Sequence, residues 1–109
     1  MLAGSVGFYL GALAVGAVGC IGALVNIAAQ ETSKMMNCFQ VGDLVGAREI
    51  QLRLIEPNYA VTSRFGVPGL KAAMEMQGFY GGPVRSPLLP ILDEEKSKLR
   101  AILVQAELL

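Results

Sequence analysis

The side chains of this sequence best suited to covalent chemistry are its lysines, because a deprotonated lysine amine attacks carbonyl groups to form an imine. There are four of them: Lys34, Lys71, Lys96 and Lys98. The last two lie in a run of charged residues, and Lys71 precedes Glu75 by four positions on a segment with helical periodicity. Such surroundings are typical of surface lysines, so the sequence alone assigns none of the four to catalysis.

The amino-acid composition does not indicate a metal site or a cofactor. The chain has no histidine, the commonest metal ligand and general base. Its two cysteines, Cys20 and Cys38, have no neighbours at metal-binding spacing, so we interpret them as ordinary free thiols. Nine basic and nine acidic residues cancel, so no net charge favours nucleic acid. We therefore expect no metal, no cofactor and no nucleic-acid partner.

The first 30 residues carry no charge, and all eighteen charges lie from Glu31 onward. One interpretation is a transmembrane helix over residues 2–29, because about 20 apolar residues cross a bilayer. The other is buried soluble structure, since parallel strands covered on both faces also form uninterrupted apolar runs. No basic residue precedes the run, which weakens the membrane interpretation without removing it. The residues alone leave both open.

Helices are predicted for the middle of the chain. Asp43 fits the N-cap of one of them, since its carboxylate can accept from first-turn amides, and Pro57 should kink or end that helix. A helix over Ile27–Phe39 precedes it. The predicted inward positions are Ile27, Met35, Met36 and Phe39 in the first helix, and the apolar residues of the second are Leu44, Val45, Leu52 and Ile55.

Proline and glycine bound the next helix. Pro68 suits a first helical turn and Gly78 suits the left-handed residue after a helix end. The run from Gly81 to Pro87 is typical of an irregular arm that crosses a surface. A last helix is predicted to begin with Asp93 as its N-cap, and its apolar stripe comprises Leu99, Ile102, Leu103 and Ala106.

Several motifs, in order, resemble the C-terminal region of the dihydrodipicolinate synthase/N-acetylneuraminate lyase family, which are class I aldolases on a (β/α)₈ barrel. Within that family these motifs are most similar to those of the branch of mitochondrial 4-hydroxy-2-oxoglutarate aldolases. The resemblance covers about Leu2 to Leu89. It is carried by Leu2-Ala3-Gly4-Ser5, Leu13 to Gly19, Ala23 to Asn26, Arg53-Leu54-Ile55-Glu56-Pro57-Asn58, Arg64 to Lys71 and Gly78 to Pro87.

The resemblance implies an α/β fold class, in which the chain is a C-terminal fragment of a (β/α)₈ TIM barrel and is mostly helical as it stands. Residues 1–30 would hold the end of the barrel: a strand remnant at Met1–Gly4, a helix at Val6–Val15 and the last strand at Cys20–Val25. Residues 31–109 would hold the last barrel helix and a helical C-terminal region. About two short strands are therefore expected.

The implied family activity is cleavage of 4-hydroxy-2-oxoglutarate to pyruvate and glyoxylate through a lysine imine. The imine-forming lysine of the family lies on the sixth strand, upstream of these residues, so we expect no catalytic residue here, and an inactive, poorly soluble chain. The implied substrate-binding residues are Gly4 and Ser5, through main-chain groups, and Ile21, through its carbonyl. The alternative for Ile21 is an ordinary residue of the barrel core. Asn26 matches a recurrent asparagine that either caps a helix or contacts the ligand.

The same resemblance implies a keto-acid substrate, a homotetramer and a mitochondrial location, although no transit peptide is recognisable in the 109 residues. Two alternatives compete with the aldolase fragment. One is a small membrane-anchored helical protein with its span at residues 2–29. The other is a non-catalytic partner that docks on full-length aldolase subunits through the helices after Ile27.

Overall fold

The computed structural model describes all 109 residues, and helices dominate it. A short 3-10 helix is followed by α1 and, after an extended connection, by α2 and α3. A π-helical turn links α3 to α4, and an irregular arm leads to α5. The bounds are Val6–Phe8 for the 3-10 helix, Tyr9–Ala14 for α1, Val25–Gln40 for α2, Leu44–Tyr59 for α3, Ala60–Arg64 for the π turn, Gly66–Met76 for α4 and Asp93–Gln105 for α5.

The strands expected at Met1–Gly4 and Cys20–Val25 are reduced to one parallel bridge between Ala3 and Cys20. The prediction of a strand over Cys20–Val25 is wrong beyond its first residue. The Val25 N–H already bonds to the carbonyl of Gly22 at 3.2 Å, which begins the turn into α2. A parallel strand needs neighbours to satisfy its backbone, and the chain supplies only one short partner segment, so the helix begins early.

The helix predicted over Ile27–Phe39 is confirmed as α2, which begins two residues earlier and is kinked at Ala28. Asp43 is confirmed as the N-cap of α3, because its Oδ1 accepts from the Gly46 N–H at 2.9 Å. Pro57 does not end α3, which continues into the π turn. There the Thr62 hydroxyl donates to the carbonyl of Asn58 at 2.6 Å, which helps to satisfy the irregular backbone.

The face that α3 buries differs from the one singled out from the sequence. Ala47, Ile50 and Leu54 are buried, whereas Leu44, Val45, Leu52 and Ile55 are 46–63% exposed. Apolar residues therefore lie on both sides of this helix, and tertiary packing rather than hydrophobicity decides which side faces inward.

Local chemistry fixes the ends of α4 and α5. Pro68 lies in the first turn of α4, as predicted. At the other end the Phe79 N–H bonds to Met74 O at 2.9 Å and the Gly78 N–H to Glu75 O at 3.0 Å, a Schellman motif with Gly78 in the left-handed region. Asp93 is the first residue of α5 and not its cap; the cap is Leu92, whose N–H donates to Glu95 Oε1 at 3.1 Å.

The predicted stripe of α5 is confirmed, since all four of its residues are buried. They join one core with α2, α3 and α4, whose least exposed side chains include Leu24, Met35 and Leu54. No helix is both long and apolar enough to cross a bilayer. The span expected over residues 2–29 is instead divided between the 3-10 helix, α1, an extended segment and the start of α2.

The C-terminal ends of α4 and α5 have the same Schellman geometry, but the left-handed residue is Gly78 in one and Glu107 in the other. After α5 the N–H groups of Glu107 and Leu108 make the same Schellman bonds, to Val104 O at 3.0 Å and Leu103 O at 2.8 Å, and Glu107 holds a φ of 61°. A side chain at such a φ costs about 1 kcal/mol relative to glycine. Glu107→Gly should therefore raise the free energy of unfolding, and Gly78→Ala should lower it, each by roughly 1 kcal/mol in urea titrations.

The control is Glu107→Gln, which keeps the strained φ and removes only the charge that lies 3.5 Å from Arg53. A solvent-accessible ion pair of this kind contributes little to stability. This variant should therefore have nearly the same free energy of unfolding as the parent chain. A stability gain for Glu107→Gln as large as that for Glu107→Gly would contradict the backbone explanation.

Candidate functional site

The bridge between Ala3 and Cys20 brings the carboxyl ends of two extended segments together. Val18 N–H bonds to Met1 O at 2.9 Å, Ala3 N–H to Gly19 O at 2.8 Å and Ile21 N–H to Ala3 O at 2.9 Å. In this register Gly4 and Ser5 lie beside Ile21 and Gly22. A Cβ built on Gly22 would come 3.4 Å from Ser5 Cα, so the two backbones are in close approach. The three residues implied as substrate-binding, Gly4, Ser5 and Ile21, thus share one site.

Gly4 faces open space. A Cβ added there would meet no heavy atom within 4 Å, and its backbone is outside the left-handed region. Packing within the chain therefore does not require glycine at this position. Neither the Gly4 nor the Ser5 N–H has an acceptor among the 109 residues, which leaves two backbone donors at the site.

The Ser5 hydroxyl is committed to the fold. Its oxygen accepts from the Gly7 N–H at 3.1 Å and from Asn58 Nδ2 at 3.1 Å, which caps the 3-10 helix. A hydroxyl oxygen has two acceptor positions, so both are used. Ser5 can therefore offer a ligand its main chain more readily than its side chain.

Ile21 presents its carbonyl rather than a packed side chain. Its side chain is 72% exposed, so it is not a core residue of this chain. Its N–H is used in the bridge, while its carbonyl accepts no hydrogen bond within the chain. The candidate site therefore contains two hydrogen-bond donors, the N–H groups of Gly4 and Ser5, and one acceptor, the carbonyl of Ile21.

Asn26 stands apart from these groups. It is the second residue of α2, and its Nδ2 donates to the carbonyl of Ala23 at 3.0 Å. The N-cap of α2 is Leu24, so Asn26 braces the entry to the helix and does not cap it.

Sequence reasoning missed one residue that holds the site. Gln51 of α3 donates through Nε2 to the carbonyl of Val6 at 2.9 Å and accepts the Leu10 N–H on Oε1 at 2.8 Å. The sequence feature that could have identified Gln51 is its position, as a polar residue, on the same helical face as Ala47 and Leu54. That signal became visible only when the structure showed which face of α3 is buried.

Two of the four lysines have a partner within the chain. Lys71 Nζ donates to the carbonyl of Pro83 at 2.9 Å and so ties down the arm, which agrees with its assignment as a surface lysine. Lys98 lies 3.4 Å from Glu94. The chain holds no group of three or more His, Cys, Asp or Glu residues arranged for a metal ion.

Comparison with known proteins gives one family. Residues 1–106 match the sequence model of the Dihydrodipicolinate synthetase family. Among curated relatives, 4-hydroxy-tetrahydrodipicolinate synthase of Methanothrix thermoacetophila is 34% identical over 105 residues, which cover 96% of this chain and 36% of the relative. The synthase of Kineococcus radiotolerans is 40% identical over 98 residues, covering 88% of this chain and 32% of the relative.

Solved structures agree with the sequence matches. The dihydrodipicolinate synthase DapA-2 of Bacillus anthracis superposes with a TM-score of 0.87 at 30% identity, over 93% of this chain and 35% of the synthase. The N-acetylneuraminate lyase of Aliivibrio salmonicida gives 0.86 at 31% identity, over 97% of this chain and 35% of the lyase. The chain thus spans about a third of the length of the proteins it matches.

Beside the site, the half-buried thiol of Cys20 and the buried hydroxyl of Tyr9 should make stability depend on pH. Burial raises the pKa of the Cys20 thiol; burial, and then the charge of Cys20, raises the pKa of the Tyr9 hydroxyl, which donates to Met36 Sδ at 3.4 Å. The unfolded chain then loses these protons first. The stabilisation is complete below the ordinary thiol pKa of about 8.5 and is lost as pH rises towards the folded-state values.

We expect the free energy of unfolding to fall as pH rises from about 8.5 towards about 10, measured by urea titration at each pH. Combining Cys20→Ala with Tyr9→Phe should flatten this decline. Tyr80→Phe, which alters a tyrosine that is 83% exposed, is the control and should keep it. A double variant with an undiminished slope would place the titrating groups elsewhere.

Proposed function

Because the chain belongs to the Dihydrodipicolinate synthetase family, whose sequence model matches residues 1–106, we propose that it contributes one wall of a keto-acid pocket in a Schiff-base lyase barrel. The observation that carries the proposal is the bridge between Ala3 and Cys20. It sets two unpaired N–H donors beside an unpaired carbonyl at the carboxyl ends of parallel segments. Barrel active sites are built at that end of the strands.

The groups of this chain suit a keto acid by their chemistry. The N–H groups of Gly4 and Ser5 can donate to carboxylate or carbonyl oxygens, and the carbonyl of Ile21 can accept from a hydroxyl group. The open space at Gly4 lets a ligand reach the backbone without meeting a side chain. Their role is to bind and orient the substrate, while the lysine that forms the imine lies outside the 109 residues in this proposal.

The specific reaction we propose is cleavage of 4-hydroxy-2-oxoglutarate, supported by the sequence resemblance to that branch. The bond between C3 and C4 breaks, its electron pair passes to the protonated imine to form an enamine, and the 4-hydroxyl loses its proton as glyoxylate forms. The enamine takes up a proton at C3, and water then hydrolyses the resulting imine to release pyruvate and the free lysine. The names of the curated relatives favour a second candidate, synthesis of 4-hydroxy-tetrahydrodipicolinate. A mitochondrial location is also proposed, on the resemblance alone.

The test uses protein isolated from its natural source with an antibody against the exposed side of α5. We expect borohydride and pyruvate to trap a covalent adduct, because reduction makes the imine permanent, and mass spectrometry should place it on none of the four lysines named above. Release of glyoxylate from 4-hydroxy-2-oxoglutarate would support the first reaction. Formation of 4-hydroxy-tetrahydrodipicolinate instead would identify the second.

The 109-residue chain expressed alone is the control and should give no adduct. An adduct on Lys71 would overturn the assignment of that residue to the surface. A natural protein without an adduct would contradict the catalytic proposal and favour a non-catalytic partner, in which case full-length aldolase subunits should co-purify with it.

We further propose a homo-oligomer, supported by the exposed apolar side of α3 described above. Antiparallel pairing of two copies about Leu52 would set Arg48 of one copy level with Glu56 of the other, since each lies four residues from Leu52. Parallel pairing would set like charges level with each other. Charge therefore favours the antiparallel arrangement.

Leu52→Glu should lower the mass of the natural-length protein in sedimentation experiments, because a carboxylate replaces a side chain at the centre of the contact. Leu52 is 63% exposed in the monomer, so the fold itself should tolerate the change. The control is Leu89→Glu on the arm, which is 78% exposed and outside α3. An oligomer of unchanged mass in the Leu52 variant would exclude this face as the contact.

A further inference from the structure

Two buried amide side chains of α3 face the same short turn. Gln51 and Asn58 are seven residues apart, which places them on one side of the helix. They are 8% and 9% exposed, and only Thr32 joins them as a buried polar residue. A buried amide is costly unless it is hydrogen-bonded, so the partners of these two side chains show what they are for.

Gln51 holds the far end of the turn. Its Nε2 donates to the carbonyls of Val6 at 2.9 Å and Gly7 at 3.3 Å, and its Oε1 accepts from the Leu10 N–H at 2.8 Å. One side chain thus satisfies three backbone groups where the 3-10 helix passes into α1. These bonds fix the distance between α3 and the segment that follows Ser5.

Asn58 holds the near end. Its Nδ2 donates to Ser5 Oγ at 3.1 Å, and the same oxygen accepts from the Gly7 N–H. A Cβ built on Gly7 would lie 2.7 Å from Asn58 Nδ2, so the absence of a side chain at Gly7 permits this approach. Ser5 is therefore fixed from α3 on one side and by its own turn on the other.

We infer that Gln51 and Asn58 are positioning residues of the keto-acid site, which determine where the backbone donors of Gly4 and Ser5 lie. This inference rests on the proposed function. Both amides act on the turn that begins directly after Gly4, and neither touches the open space where the ligand would bind. Without them the fold can persist while the donors shift away from the substrate.

A similar amide elsewhere in the chain separates positioning from plain stabilisation. Gln77 donates through Nε2 to the carbonyls of Ile27 at 2.8 Å and Leu108 at 2.9 Å. It makes the same kind of bonds as Gln51 but does not contact the turn after Gly4. Gln77→Met should therefore lower stability and leave substrate affinity unchanged.

The experiment uses a chimera in which all 109 residues replace the matching 35% of the Bacillus anthracis synthase. Pyruvate is titrated in the presence of borohydride, and the half-saturating concentration and the maximal trapping rate are read separately. Gln51→Met and Asn58→Leu should raise the half-saturating concentration roughly tenfold with the maximal rate nearly unchanged, because they weaken binding in the ground state and the transition state alike.

A purely structural role would give the opposite pattern, since loss of folded protein lowers the maximal rate and leaves the half-saturating concentration as it was. Asn58→Asp should restore affinity, because the Ser5 hydroxyl can donate to the new carboxylate while it still accepts from Gly7. If Gln51→Met does not fold, the comparison of Asn58→Leu with Asn58→Asp decides the question.

Two outcomes would overturn the inference, and they can be told apart. An active chimera whose affinity is the same in the Asn58→Leu and Gln51→Met variants contradicts the positioning role alone. An unsubstituted chimera that folds but forms no adduct contradicts the proposed function and this inference with it.

Discussion

Three backbone hydrogen bonds between residues 1–3 and 18–21 set the register on which the candidate site depends. A one-residue slip would exchange the groups that face the neighbouring segment with those that face away. In the observed register Ala3 uses both its N–H and its carbonyl in the bridge. The N–H groups of Gly4 and Ser5 are left without partners beside the carbonyl of Ile21. Such a short parallel pair is weak alone. It is held by the packing around Val6 and Leu24, both fully buried, and by the amides of α3.

The parts of the fold that could be predicted from sequence are those that local chemistry decides. Asp43 caps α3 because a carboxylate placed before a helix finds unsatisfied N–H groups, whatever else surrounds it. Gly78 ends α4 because the left-handed conformation costs glycine little. The stripe of α5 was also recognisable, since its four apolar residues recur at helical spacing while most other residues of that helix are charged or polar. Each of these signals is contained within a few residues.

The predictions that failed for the strand at Cys20–Val25 and for the buried face of α3 concern choices that distant residues make. An apolar run at Cys20–Val25 suits a buried strand or the approach to a helix equally well. With one short partner available, the chain forms the helix. On α3 equally apolar residues such as Leu52 and Leu54 lie on two faces, and the face that packs on the 3-10 helix and α2 is the one with Gln51 and Asn58. Gly4, Ser5 and Ile21 were proposed through family resemblance alone; nothing in their residue types indicated a site.

The first segment has one paired edge and one unpaired edge. Alternate residues of an extended chain direct their backbone groups to opposite edges. Ala3 bonds to the segment 18–21, so Leu2 directs its N–H and carbonyl to the other edge, where they have no partner within the 109 residues. An apolar groove lined by Met1, Leu2, Phe8 and Val15 adjoins this segment. A neighbouring strand would pair with the free groups of Leu2 and remove the unpaired edge. In the barrel that we propose, such a strand would lie next to Leu2, one residue before Gly4, so completion of the sheet and completion of the candidate site would be connected.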